Sequence, residues 1–209
     1  MIIPAPPPVL ILAGGLGRRM DSPAQGAPQK PLVHLGGQPL LSHVIDRMRP
    51  QAGQLLLNVN GPSDDYAAFG LPLIPDPVPG HPGPLAGVAA GLEYLARTAP
   101  AAFLVSVAAD TPFLPMDLVR RLADRHSETG GVVCAGSGGQ RHPVIAVWPA
   151  TVLAALQESL KEGRLKVGLF LDALNAVTVV WDSNLNDPFF NVNTPEDLAI
   201  AEIRLSARQ

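Results

Sequence analysis

Four short stretches hold the residues best suited to chemistry. Gly14-Gly15-Leu16-Gly17-Arg18-Arg19 closes an apolar run, Val9–Ala13, and Lys30 follows after a loose Ser/Pro/Gln/Gly loop. Glycines let backbone N–H groups approach a ligand closely, and such groups suit a phosphate or a base edge. The two arginines and Lys30 add full charges that match a polyphosphate. Asp110, in Ala108-Ala109-Asp110-Thr111-Pro112, stands directly after a second apolar run. A carboxylate there can hold Mg²⁺, which takes one or two protein carboxylates and completes its shell with phosphate and water. The competing reading is a cap on the turn before the next helix. Asn58 and Asn60, with Asp76, offer donor and acceptor edges suited to a base or ribose, although each taken singly is an ordinary turn residue. In Phe190-Asn191-Val192-Asn193-Thr194-Pro195 the spacing favours a helix cap at Thr194 with both asparagines in turns; a second ligand for the metal is the alternative. Arg141-His142-Pro143 reads as a loop whose charge could meet an anionic substrate.

Negative evidence narrows the chemistry. The glycine stretch is not a P-loop, because no Gly-Lys-Ser/Thr closes it, and Met20 stands where a dinucleotide fingerprint needs its third glycine. The second strand, Leu55–Val59, lacks the acid that such a fingerprint expects, which leaves an NAD-dependent oxidoreductase a distant reading. No Ser–His–Asp or Cys–His set stands out. Cys134 is the single cysteine, so intramolecular disulfides are excluded, and its apolar setting reads as a small buried hydrophobe. The net charge of −3 argues against a general nucleic-acid binder. The N-terminal apolar run has no basic flank and is far too short to span a bilayer, so a cytoplasmic protein with a disordered lead-in over 1–8 is expected.

The elements that must position these residues alternate between strand-like and helix-like patterns. Strands are expected at Val9–Ala13, Leu55–Val59, Leu73–Ile74, Ala102–Ala109, Val132–Ala135, Val144–Trp148 and Val177–Trp181. Helices are expected at Pro39–Arg49, Ser63–Phe69, Pro84–Ala99, Pro115–His126, Ala150–Lys161 and Thr194–Arg208, the last opened by Pro at N1 with acids in its first turn. Trp148 and Trp181 read as packing residues, and Asp64-Asp65 as solvated surface. With 47% hydrophobic residues, no internal repeat and no linker, this predicts one α/β domain over 9–209: a three-layer, Rossmann-like, mostly parallel sheet with helices on both faces. Ligands gather at the carboxyl ends of strands in such sheets, which is where the unusual residues lie.

In order, Leu12-Ala13-Gly14-Gly15-x-x-Arg18-Arg19-Met20, Lys30-Pro31-Leu32, Gly83-Pro84-Leu85-Ala86-Gly87, Asp110-Thr111-Pro112 and Asn191-Val192-Asn193-Thr194-Pro195 resemble the molybdenum cofactor guanylyltransferases, the MobA family, within the nucleotide-diphosphosugar-transferase-like fold. The resemblance implies Mg²⁺-dependent transfer of GMP from GTP to the terminal phosphate of molybdenum-bound molybdopterin, with release of pyrophosphate. It implies that Leu12, Ala13 and Gly14 line the guanine and ribose, that Asn58 and Asp76 contact the nucleoside, and that Lys30 meets the phosphates. Asp110 would hold the metal, and Arg19 would help neutralise the triphosphate. The GPLAG segment would border the pterin, and molybdenum-insertion proteins or molybdoenzyme chaperones would be further partners.

Related cytidylyltransferases are similar but carry LAAG where this chain has Leu12-Ala13-Gly14-Gly15; the extra glycine leaves room for a purine. Two departures stand out. Asp21 replaces the Gly that usually follows Arg-Met, and Gln29 replaces the Asp of the usual Asp-Lys pair, after a longer loop. A cytidylyltransferase, a sugar-phosphate nucleotidyltransferase and a non-catalytic nucleotide-binding module are the alternatives these leave open.

Overall fold

Side-chain alternation along the strands builds the layers. In β1 (Pro8–Leu12), Val9 and Ile11 belong to one apolar cluster and Leu10 to another on the opposite face, all three fully buried. The same alternation runs through β4 (Gln54–Asn58) and β6 (Phe103–Ala108), as it must when both faces of a sheet are covered. The computed structural model describes residues 5–14, 29–60, 64–77, 83–183 and 186–207.

The other elements, in chain order, are β2 (His34–Leu35), β3 (Gln38–Pro39), α1 (Leu40–Met48), α2 (Asp64–Ala67), β5 (Leu73–Ile74), α3 (Pro84–Thr98) and α4 (Leu118–Thr129). They continue through β7 (Val133–Ser137), β8 (Gln140–Pro149), α5 (Leu153–Lys161), α6 (Val167–Ala173), β9 (Val177–Trp181) and α7 (Pro195–Ser206). Seven strands form one sheet in the order β5-β4-β1-β6-β8-β7-β9, and β2 pairs with β3 beside it. Every neighbour pair in the main sheet is parallel except those of β8, which runs antiparallel to both β6 and β7. Helices α1 and α4 pack on the Val9/Ile11 face, and α3, α5 and α6 on the Leu10 face. The expected mostly parallel α/β sheet is therefore the architecture observed.

Helix α1 buries Leu40, Leu41, Val44, Ile45 and Met48, the stripe its periodicity predicts. Helix α7 starts on a full capping box: Thr194 accepts from the Asp197 N–H, and the Asp197 carboxylate accepts from the Thr194 N–H. Ser63, the expected cap of α2, lies outside the described residues. The end of the lead-in expected to be disordered over 1–8 is instead held by the sheet: β1 begins at Pro8, and the Pro7 carbonyl accepts from the Gly53 N–H at 3.0 Å.

Three features differ from the expectation. Arg141-His142-Pro143 is not a loop but the start of β8, because Gly138 and Gly139 adopt φ of 54° and 77° and close a two-residue hairpin from β7. Helix α6 and the short β2–β3 ladder were not foreseen: α6 is only seven residues long, although Val167, Phe170, Leu171 and Leu174 make an apolar stripe at helical spacing, and the ladder has two residues in each strand. Helix α4 starts at Leu118, leaving Pro115–Asp117 in the turn before it. Trp148 and Trp181 are buried as expected, and each indole also donates, to Ser106 and Asp117. Cys134 is fully buried. Among the described residues no helix is long and apolar enough to cross a membrane.

Candidate active site

Parallel β1, β4, β5 and β6 all end at one rim of the sheet, and their ends carry the expected polar residues. The chain leaves β1 through Ala13, whose N–H donates to the Asn58 carbonyl at 2.9 Å, while the Ala109 N–H donates to the Leu12 carbonyl at 3.1 Å. These ladder bonds set Gly14, Asn58 and Asp110 at neighbouring strand ends.

One cluster forms around Lys30. Its ammonium pairs with Asp110 Oδ2 and donates to Asn193 Oδ1 at 2.7 Å and Asn191 Oδ1 at 3.3 Å. The Lys30 and Asp110 side chains are only 12% and 19% exposed, so solvent screens this contact far less than a surface ion pair. Local sequence explains the placement. Pro31 is buried in a single 3-10 turn, Lys30–Leu32, which fixes the backbone at Lys30. On the other side the Asp110 carbonyl accepts from the Val192 N–H at 2.9 Å, joining the end of β6 to the segment before α7. Beneath it, Leu35, Leu40, Phe113, Val192 and Ala201 form a small apolar cluster that ties β2, α1 and α7 to the same rim.

Asn191 and Asn193 were expected to serve turns beside the Thr194 cap. They do flank that cap, but their side-chain oxygens also converge on Lys30. Lys30 and these asparagines are far apart in sequence, so spacing alone carried no sign of the contact.

The second cluster reads as a nucleoside edge. Asn58, 3% exposed, donates through Nδ2 to the Ile74 carbonyl at 2.9 Å and to Asp76 Oδ1 at 2.8 Å. Asn60 donates to Asp76 Oδ2 and accepts from the Asp76 N–H at 2.9 Å. Asp76 is thus held by two amides and presents a fixed carboxylate. Gly14 and Gly87 pack directly on this pair: a Cβ on Gly14 would lie 2.5 Å from Asn60 Nδ2, and one on Gly87 would collide with Asn58 Oδ1 and lie 2.5 Å from Leu12 Cδ2. Sequence reasoning named Asn58, Asp76 and Gly14 here. It placed Gly87 in the GPLAG segment without seeing that its missing side chain makes room for Asn58.

Arg19, Gly15 and Arg18 lie outside the described residues. Asp110 Oδ1 is buried and has no hydrogen-bond partner among the described residues. A buried, unpartnered carboxylate oxygen is a hard donor of the kind that suits a small divalent cation; the neighbouring Asn191 and Asn193 oxygens accept from the Lys30 ammonium here. Among the described residues no three His, Cys, Asp or Glu side chains cluster as a metal site.

The sequence profile of the MobA-like NTP transferase domain matches residues 9–176. A molybdenum cofactor guanylyltransferase of Bradyrhizobium sp. is 48% identical over 97% of this chain and 94% of its own length. The chain belongs to the molybdenum cofactor guanylyltransferase (MobA) family. The guanylyltransferase of Rhizobium meliloti is 38% identical over 94% of this chain and 90% of its own. Among solved structures, molybdopterin-guanine dinucleotide biosynthesis protein A from Archaeoglobus fulgidus superposes with a TM-score of 0.75 over 96% of this chain and 99% of that one, at 24% identity. That likeness establishes the fold.

Gln29, where the resemblance leads one to expect Asp before Lys30, has two local partners. Gln29 Oε1 accepts from the Tyr66 hydroxyl at 3.1 Å, and its Nε2 donates to Asp65 Oδ2 at 3.4 Å. Burial, with Asp65 adding to it, pushes the Tyr66 phenol up to about 12, so it stays a donor at all working pH values. An amide satisfies both partners; a carboxylate would face Asp65 as a like charge. Asp65 is exposed, as expected of solvated surface, and also accepts from Gln29, the residue next to Lys30.

Proposed function

We infer that this protein transfers GMP from GTP to the phosphate of molybdenum-bound molybdopterin, giving the guanine dinucleotide cofactor and pyrophosphate. The observation that carries the reading is the meeting of Lys30 with Asp110, Asn191 and Asn193 on the same rim as the Asn58–Asp76 pair: a charge site beside a nucleoside site. A single domain over 9–209 houses both.

In this reading Asp76, fixed by Asn58 and Asn60, accepts from the nucleoside, while Leu12, Ala13 and Gly14 form the floor beneath it. Lys30 binds the triphosphate, and Arg19 adds a second cation. The acceptor phosphate is already ionised, so no side-chain nucleophile is required. One of its oxygens bonds to the α-phosphorus as the α–β bridging bond breaks, and the bonding pair leaves with pyrophosphate. Two anions must approach closely, and positioning them beside fixed cations lowers that barrier. Asp110, with the Asn191 and Asn193 oxygens, would hold Mg²⁺, which when bound supplies charge that screens the reacting phosphates and steadies the departing pyrophosphate. The product serves other proteins, so it is handed on; molybdenum-insertion proteins or molybdoenzyme chaperones in the cytoplasm are the recipients in this reading.

Incubation with GTP, Mg²⁺ and molybdenum-loaded molybdopterin, followed by mass analysis, is expected to give the guanine dinucleotide and stoichiometric pyrophosphate. A cytosine dinucleotide formed preferentially from CTP, or GTP binding without pyrophosphate release, would overturn the assignment.

Gln29→Asp tests the tether beside Lys30. The new carboxylate loses the Tyr66 hydroxyl's geometry and faces Asp65, so Lys30 is held less firmly. GTP KM is expected to rise about 3- to 10-fold with a smaller change in kcat, the size of one lost hydrogen bond. Steady-state kinetics against GTP check this.

A further inference from the structure

A third polar cluster lies at the same rim, beyond β6. Ser137, the last residue of β7 and 3% exposed, donates from Oγ to Asp187 Oδ1 at 2.7 Å. Its Oγ is also 2.7 Å from His142 Nε2 on β8. The single hydroxyl proton is committed to the carboxylate, so His142 must donate through Nε2–H. Burial lowers the pKa of His142 from its ordinary 6.5, with Asp187 opposing, so the ring is neutral at pH 7 and the network fixes its tautomer. The order His→Ser→Asp is not that of a nucleophilic triad, in which the imidazole stands between serine and acid. Here the serine stands in the middle and activates nothing.

The chain from Asp187 leads straight to the active site. Asp187 Oδ1 accepts from the Phe189 N–H at 2.9 Å, and the Phe189 ring packs on His142 at 4.7 Å between centroids. Three residues later the Val192 N–H bonds the Asp110 carbonyl, and the flanking Asn191 and Asn193 reach Lys30. The segment is thus pinned at one end by Ser137 and at the other by Asp110.

We propose that Ser137, His142 and Asp187 are positioning residues for GMP transfer: they lock the Asp187–Asn193 segment against the sheet rim so that Asn191 and Asn193 meet Lys30 while Val192 bonds Asp110. This rests on the function inferred above for the Lys30 site. A misplacement of about 1 Å at such a site can cost on the order of 10²-fold in rate, so the relay has leverage without touching the nucleotide.

The test combines kinetics with amide exchange. Ser137→Ala and His142→Leu are expected to lower kcat about 10- to 100-fold while GTP KM moves less than about 3-fold, and Ser137→Thr and His142→Gln, which keep the hydroxyl and the Nε2 donor, to recover most of the rate. Adding Ser137→Ala to Asn193→Ala should cost much less than it does alone, because both act through one contact. Fully additive losses, or a lowered melting temperature with unchanged kcat, would overturn the proposal. Hydrogen exchange at the Phe189 and Val192 amides should quicken in Ser137→Ala whatever reaction the protein performs; unchanged exchange at Val192 sinks the proposal on its own. Wild-type protein that makes no guanine dinucleotide, with exchange behaving as expected, would instead sink the functional reading alone.

Discussion

Lys30→Ala is expected to lower GMP transfer by about 10³-fold, roughly 4 kcal/mol of transition-state stabilisation, with the fold retained. Burial and chemistry together set this magnitude. The ammonium is nearly out of water and meets one carboxylate and two amide oxygens. A charge aimed at a triphosphate from such a setting is worth far more than one on an open surface. Asp110→Asn should cost a comparable factor, since it removes the anionic member of the donor set and leaves an amide N–H at a buried position where Oδ1 already lacks a partner. The two substitutions together should cost little more than either alone, because residues that act as one unit are not additive. Circular dichroism and a thermal melt establish the fold, and pyrophosphate release at saturating GTP measures the rate. If Lys30→Ala keeps more than about a tenth of wild-type kcat and kcat/KM, the role given to this cluster is wrong, because the loss would be under about 1.4 kcal/mol.

How much of this was legible beforehand depends on whether the signal was local. Helix α1 was readable residue by residue, because an apolar stripe on a 3.6 period has one structural solution. The strand ends were readable because parallel strands place whatever follows them on one rim. The meeting of Lys30 with Asp110 was expected at that rim, but its two asparagine partners were not readable. Asn191 and Asn193 sit beside a strong capping signal at Thr194, and that local explanation is true as well as incomplete. His142 was hidden differently. Its strand begins with exposed polar residues, and only the Gly138-Gly139 turn told that the chain doubles back. A two-glycine turn between two short apolar runs was the available sign, and it marks a hairpin. Gly87 shows a third kind of blindness: what matters is the volume its missing side chain leaves to Asn58, a tertiary fact with no trace in its neighbours.

That missing volume makes Gly87→Ala the most discriminating substitution in the nucleoside site. On propensity alone alanine should stabilise helix α3 by up to about 1 kcal/mol, since glycine in a helix interior is unfavourable. The local geometry predicts the opposite. The added methyl would collide with Asn58 Oδ1 and press on Leu12 Cδ2, and Asn58 is held in place by the Ile74 carbonyl and by Asp76. Overpacking of this kind costs about 1–3 kcal/mol, enough to outweigh the helix term. Asn58 must turn away, and Asp76 then loses one of the two amides that aim its carboxylate. The expected result is a lower melting temperature together with a rise of about 10- to 100-fold in GTP KM, the equivalent of about 1.4–2.7 kcal/mol of lost nucleotide binding. Gly14→Ala presses hardest on Asn60 Nδ2, at 2.5 Å, and less closely on Asn58 Oδ1, at 3.2 Å, so Asn60 takes most of the shift and Asp76 keeps its bond from Asn58. Its effect on GTP KM should be smaller than that of Gly87→Ala. Room for a purine at Gly14 predicts a further change there, a GTP/CTP ratio shifted towards CTP. Titration of GTP and CTP against both variants separates the two causes: a loss of nucleoside grip lowers both affinities together, whereas a loss of purine room lowers only that for GTP.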